Sequence, residues 1–272
     1  MNALRHDPAP GKTALPLVAL AIGLGALGVL SLGSGDFAFQ WQPVPPDVPS
    51  RSTLAMLTGA LEVVAAVLLL LSGRARATGA WLAAILLLGW VALHGPSVVQ
   101  RPTSIADWLG VAETAAMASA ALMFAAAWSG IAAAGGVRRG AFVVFGLSAL
   151  VFGLSHFKYA EFTASMIPPW LPARVPLAYF TGAAHALAGL AIASGVCRTL
   201  AASLESLMMA GFVVLVHVPR VLAHPDSRME WTMLCVAVTL SASAAMVAAI
   251  SRRRTVSTGG SSMSPATSPR NA

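Results

Sequence analysis

Long apolar runs separated by short polar segments dominate the chain. Eight such runs occupy roughly residues 14–33, 54–72, 78–99, 107–128, 138–156, 176–195, 200–222 and 229–250. About 20 consecutive apolar residues span the hydrocarbon core of a bilayer as a helix. Backbone polar groups in lipid must pair within the segment, so these runs must be helical. The pattern predicts an all-α membrane protein of eight transmembrane helices. Short connections such as Gly73 to Ala77 predict antiparallel neighbours. Alanine and glycine are frequent throughout, and small residues let membrane helices approach closely.

The runs repeat. At a single offset, the separation of His94 from His217, Pro96 falls on Pro219, Pro102 on Pro225 and Trp108 on Trp231. At the same offset Pro45, Pro46 and Pro49 fall on Pro168, Pro169 and Pro172. Arg51 falls on Arg174, and Thr58-Gly59-Ala60 on Thr181-Gly182-Ala183. Rare residues matching without a gap indicate an internal duplication. Each copy has an even number of spans, so the copies share an orientation and a pseudo-two-fold axis along the membrane normal. Run 1 follows Arg5 and Lys12 as a signal peptide would, but it corresponds to run 5, which is internal and must span. The expected organisation is a cytoplasmic N-terminal segment (1–13), a first four-helix unit (14–130), a second (137–250) and a disordered cytoplasmic tail (251–272).

Charge refines this picture. Only 10% of residues are charged, against 57% hydrophobic, and the net charge is +7. The N-terminus, the loops after runs 2, 4 and 6, and the C-terminus hold Arg5, Lys12, Arg74, Arg76, Arg138, Arg139, Arg198, Arg252, Arg253, Arg254 and Arg270. On the opposite side, basic residues are balanced by acids such as Asp36, Asp47, Asp107, Asp226 and Glu230. The positive-inside rule puts both termini in the cytoplasm and makes the basic residues topology signals, not a nucleic-acid surface. Trp and Pro beside apolar residues in the loop Asp36–Thr53 and in its copy suit segments lying at headgroup level. Cys197 and Cys235 fall at different depths, which disfavours a disulfide. No Cys-x-x-Cys is present to suggest a dithiol enzyme.

Ionisable residues inside a membrane are functional candidates. Glu62 lies mid-run, and its repeat partner is His185. His94 and His217 lie about a turn inside the ends of runs 3 and 7, and His156 ends run 5. One reading pairs Glu62 with His94 and His185 with His217 as polar sites able to contact a quinone carbonyl, relay protons or, for the histidines alone, ligate haem. The other treats each polar residue as an interhelical hydrogen bond. His94 and His217 each precede a proline by two positions, so each imidazole could instead satisfy a carbonyl the proline frees. No metal-binding box is present, which argues against a metal site. Glu113, Arg51 and Arg174 are secondary candidates, the arginines for headgroups or anions. Lys158 and Glu161 have the spacing of a helical ion pair.

The second unit reads His156-Phe157-Lys158-Tyr159-Ala160-Glu161-Phe162, then Met166-Ile167-Pro168-Pro169-Trp170-Leu171-Pro172, then Tyr179-Phe180-Thr181-Gly182-Ala183-Ala184-His185. This resembles the DoxX-like family of four-helix bacterial membrane proteins. Many members show a His-Phe start, a Pro-Trp-Leu-Pro loop and a Thr/Ser-Gly-x-x-Glu step. The resemblance covers residues 140–195 well and the rest of the unit loosely. The first unit keeps Glu62 of that step but has Gly33 where the second has His156. The second has His185 where the family usually has Glu. The resemblance implies a bacterial inner-membrane protein near the quinone pool, linked by the family name to the small subunit of a thiosulfate:quinone oxidoreductase. Most members have no assigned activity. The expectation is a quinone-associated subunit or small-molecule binding bundle with a membrane redox partner or a second copy of itself, not a self-sufficient enzyme. The alternatives are a transporter or channel-like protein, for which broken helices would speak, and an assembly protein without a ligand.

Overall fold

The computed structural model describes residues 10–129 and 134–258, and all regular structure among them is helical. Among the described residues, eight helices are long and apolar enough to cross a membrane. They are α1 (Pro10–Ser34), α2 (Arg51–Leu70), α3 (Gly73–Leu93, its span continuing to Gln100), α4 (Ile105–Trp128), α5 (Ala134–Lys158), α6 (Arg174–Ser194), α7 (Arg198–Phe212, its span continuing to Ala223) and α8 (Arg228–Thr258). Helix α8 runs on past its expected end at residue 250. The expected tail therefore begins as helix, because Ser251–Thr258 continue the hydrogen-bonded ladder. The segment before Pro10, the side chains of Lys12, Arg253 and Arg254, and the chain beyond Thr258 with Arg270 lie outside the described residues.

Each long helix packs on the next in chain order, α8 returns to pack on α1, and α4 packs on α8 through the middle. Consequently α4 and α8 have 72% and 67% of their spans buried, whereas α2, α3, α6 and α7 have 33%, 28%, 28% and 22%. The core is small-residue rich: Ala116, Ala118, Ala120 and Ala121 of α4 and Ala244, Met246 and Val247 of α8 are buried in one cluster. Glycines set the closest crossings. A Cβ on Gly146 of α5 would sit 2.5 Å from the Gly189 carbonyl of α6, and one on Gly153 would sit 2.6 Å from that of Gly182. Gly28 of α1 meets Gly59 of α2 at 2.5 Å in the same sense. The Thr-Gly-Ala steps are thus packing steps. The Thr58 and Thr181 hydroxyls donate to the Leu54 and Leu177 carbonyls at 2.9 and 3.0 Å.

Helix ends have local causes. Ser50 and Ala173, with φ of 55° and 54°, turn the chain into α2 and α6 in the left-handed region. Arg76 and Arg198 donate from Nε to the carbonyls of Leu69 and Ile192 at 3.2 and 2.8 Å, taking up acceptors left open where α2 and α6 end. Pro96 and Pro219 lack an N–H and interrupt α3 and α7. In α3 the ladder tightens, with the His94 N–H donating to the Val91 carbonyl at 3.2 Å, and a short helix Gly95–Gln100 follows. In α7 the ladder widens into a π turn, Val213–His217, before the short helix Val218–Ala223.

The loop between α1 and α2 departs from expectation. It does not lie flat: Phe37, Ala38, Trp41 and Gln42 are buried around a short 3₁₀ turn, Phe39–Trp41. Polar partners below, Glu62 and Glu113, hold it in. In the corresponding loop after α5, Phe162 and Trp170 are exposed, at 65% and 69%.

Candidate functional site

Two buried polar clusters form, one in each half. In the second half, α6 carries His185 and α7 carries Glu205 to the same depth. His185 Nδ1 lies 2.7 Å from Glu205 Oε1, with side chains 3% and 0% exposed. Glu205 Oε2 is buried without a hydrogen-bond partner. The His156 ring from α5 meets the His185 ring edge-on at 5.0 Å between centroids. Phe212 of α7 stacks on His156 at 6.0 Å and tilts against His185 at 5.9 Å; Phe152 closes the other side at 5.7 Å. His156 Nδ1 lies 2.9 Å from the Thr181 hydroxyl oxygen. That hydroxyl spends its own proton on helix carbonyls, so the oxygen accepts from a protonated Nδ1. The His156 Nε2 is then the free lone pair. The result is a carboxyl–imidazole pair beside a second imidazole in an aromatic cage, with His156 as its part-exposed edge.

In the first half, Glu62 of α2 is 1% exposed and accepts at Oε1 from Gln42 Nε2 at 2.7 Å and Trp90 Nε1 at 3.2 Å. Its Oε2 has no partner. Glu113 of α4 accepts from Trp41 Nε1 at 2.7 Å. The adjacent residues Trp41 and Gln42 thus each cap one acid from the inserted loop. The Phe37 ring packs edge-on against Trp90 at 5.8 Å.

The expected pairings are therefore corrected. Glu62 meets Trp90, not His94, because Trp90 lies one turn deeper on the same face of α3. His94 instead packs on α4, 3.4 Å from the Thr114 hydroxyl and against Gly110, where a Cβ would clash with its ring. His185 meets Glu205, not His217, which lies about 18 Å further along α7 at 1.5 Å per residue. His217 ends the π turn, and its buried Nδ1 has no partner, so it does not satisfy a carbonyl freed by Pro219. Lys158 and Glu161 are both exposed and form no ion pair, since the helix breaks at Tyr159 between them. Arg51 is engaged by protein, donating to the Val44 and Pro45 carbonyls and pairing with Asp36 at 2.8 Å. Arg174 is exposed. Both cysteines are free.

Glu205, Gln42, Trp41, Trp90 and Phe212 are the site residues sequence reasoning missed. Glu205 was accessible to the rule that singles out Glu62, since it is a carboxylate within an apolar run. The loop residues carry no such signal. Among the described residues, no three His, Cys, Asp or Glu side chains group to hold a metal ion.

A family model described as a domain of unknown function (DUF8561) matches residues 145–217. That stretch runs from mid-α5 to the end of the π turn and contains every residue of the His185–Glu205 cluster. No curated protein and no solved structure matches the chain.

Proposed function

We propose that the chain is a multi-pass bacterial inner-membrane protein, DoxX-like, with both termini cytoplasmic. In this reading it is a small-molecule binding bundle of the quinone pool whose site is the His185–Glu205 cluster. The observation that carries the reading is that pair itself: a membrane-depth carboxyl hydrogen-bonded to an imidazole, walled by Phe152, Phe212 and a second imidazole. A quinone ring suits the aromatic walls, and the hydroxyl of its quinol form donates to the free lone pair on His156 Nε2. The carboxyl holds His185 in one orientation and provides a proton-exchanging neighbour. Electrons would come from a membrane redox partner or a second copy of the chain.

The two halves are read as parallel copies of one unit. Four details recur at equivalent positions: left-handed Ser50 and Ala173, the Thr58 and Thr181 carbonyl bonds, the helix breaks before Pro96 and Pro219, and the indole bonds from Trp108 to the Pro102 carbonyl and from Trp231 to that of Pro225. Exchanging α1–α4 with α5–α8 also leaves the packing order unchanged.

The test is quinone extraction and titration of the protein purified in nanodiscs. Binding should weaken by about tenfold or more in His185→Ala and Glu205→Leu, a loss of about 1.4 kcal/mol per decade. Tight binding that neither change alters would overturn the site. Transport is a second reading, favoured by the π turn, because such turns recur at functional sites. Substrate or proton flux in proteoliposomes, lost in His217→Ala, would select it.

A further inference from the structure

The loop between α1 and α2 is held by more than its own packing. Asp36 is its anchor. The Arg51 guanidinium at the start of α2 meets Asp36 Oδ1 at 2.8 Å and lies 5.0 Å over the Phe37 ring. From the other half, Arg228, the first residue of α8, reaches the same point. It lies 3.7 Å from Asp36 Oδ2 and donates through Nη2 to the carbonyls of Asp36, at 2.9 Å, and Phe37, at 2.5 Å. Its guanidinium sits 4.6 Å over the Phe39 ring. Phe39 itself has φ of 46°, a left-handed conformation costly for a residue with a Cβ, so neighbours must hold it there. Immediately beyond come Trp41 and Gln42, whose N–H groups cap Glu113 and Glu62. Gln42 Oε1 accepts from the Ala38 N–H at 2.8 Å, bracing the turn across its width.

We infer that Phe37–Gln42 is a plug closing one end of the first half over the buried Glu62 and the part-buried Glu113. Arg228 is its latch, which makes opening of the first half depend on the position of α8 in the second. Three observations carry this. The plug's contacts with the acids come from two adjacent residues, so they are made and broken together. Its backbone is strained, so release lowers a local cost. Its strongest tether from outside the first half is one side chain, a charge-assisted donor to two carbonyls and a carboxylate. The second half has no counterpart: its loop leaves Phe162 and Trp170 exposed, and its acid, Glu205, is capped by His185 from a helix.

Labelling with a hydrophobic carbodiimide, which modifies protonated carboxyls reached from an apolar phase, tests the inference on the full chain. Peptide mass spectrometry reads Glu62, Glu113 and Glu205 separately. The plug predicts slow labelling of Glu62 and Glu113 in the native protein. In Arg228→Ala the rate at both should rise by about tenfold or more, with Glu205 unchanged within about twofold. Arg228→Lys, which keeps the charge but loses the fork, should fall between, and it serves where the alanine variant fails to fold. Gln42→Ala with Trp41→Phe should open both acids without touching the latch. Fast labelling of Glu62 and Glu113 in the native protein would refute the plug. A plug variant that opens them while neither Arg228 variant does would refute the latch. A rise at Glu205 equal to that at Glu62 would show general loosening and overturn both.

Discussion

Removing the His185 imidazole should destabilise the protein more than removing the whole His185–Glu205 pair. Both side chains are almost fully buried and 2.7 Å apart, and Glu205 Oε2 already lacks a partner. His185→Ala leaves a carboxyl with neither oxygen satisfied in a low-dielectric interior. Breaking a buried pair from one side costs about 3 kcal/mol or more, over 100-fold in the folded-to-unfolded ratio. Glu205→Gln preserves shape and an acceptor for Nδ1–H, so its cost should stay near 1 kcal/mol. The double substitution His185→Leu with Glu205→Leu fills the same space without a polar atom. It should return to within about 1 kcal/mol of the native protein, about 2 kcal/mol more stable than His185→Ala. The assay is reversible unfolding in mixed micelles, followed by circular dichroism. Quinone binding should be lost in the double variant although stability is regained, which separates a site retained for its ligand from one retained for the fold. A double-leucine protein as unstable as His185→Ala would refute the reasoning, because the pair would then be structurally required.

Two further outcomes follow from packing and charge. Gly146→Ala should lower stability by about 1–3 kcal/mol, since the new methyl meets the Gly189 carbonyl at 2.5 Å. Gly89→Ala, with nothing within 4 Å, should raise it by up to about 1 kcal/mol, and detergent thermal unfolding reads both signs. Burial raises the Asp36 carboxyl, but the Phe37 N–H and the charges of Arg51 and Arg228 outweigh it and hold it below its ordinary 3.8. A depressed carboxyl contributes stability above its unfolded value and loses it as pH falls through the folded one. The stability difference between the native protein and Asp36→Asn should therefore persist from neutral pH to about 4 and close only below 3.8. A difference that closes near pH 6 would mean that another group is titrating.

The spans were legible because a bilayer demands long apolar runs and internal hydrogen bonding, both visible in one dimension. Glu62, His156 and His185 were legible as buried polar residues for the same reason. Their partners were not. Depth follows from residue count, but which helix faces meet depends on packing, and that is set by glycine pairs such as Gly146 and Gly189 acting across the chain. The inserted loop was illegible for a different reason. Trp41 and Gln42 are interfacial residue types, and only the acids beneath them, from α2 and α4, draw them inward.

The two answers to a helix proline have a consequence for how the halves compare. Tightening at His94 winds the downstream segment forward about its axis. Widening at Val213–His217 unwinds it, so equivalent residues beyond the two prolines differ in azimuth even though they align without a gap. His94 is thereby turned onto α4 and Thr114, while His217 keeps a nitrogen unsatisfied and Arg220 is swung to grip Glu230 with two bonds, at 2.6 and 2.8 Å. Identity at matched positions therefore does not carry identity of surroundings. A substitution transferred from one half to the other, His94→Ala for His217→Ala, probes a different neighbourhood each time. The two halves differ in helical phase as much as in residue type.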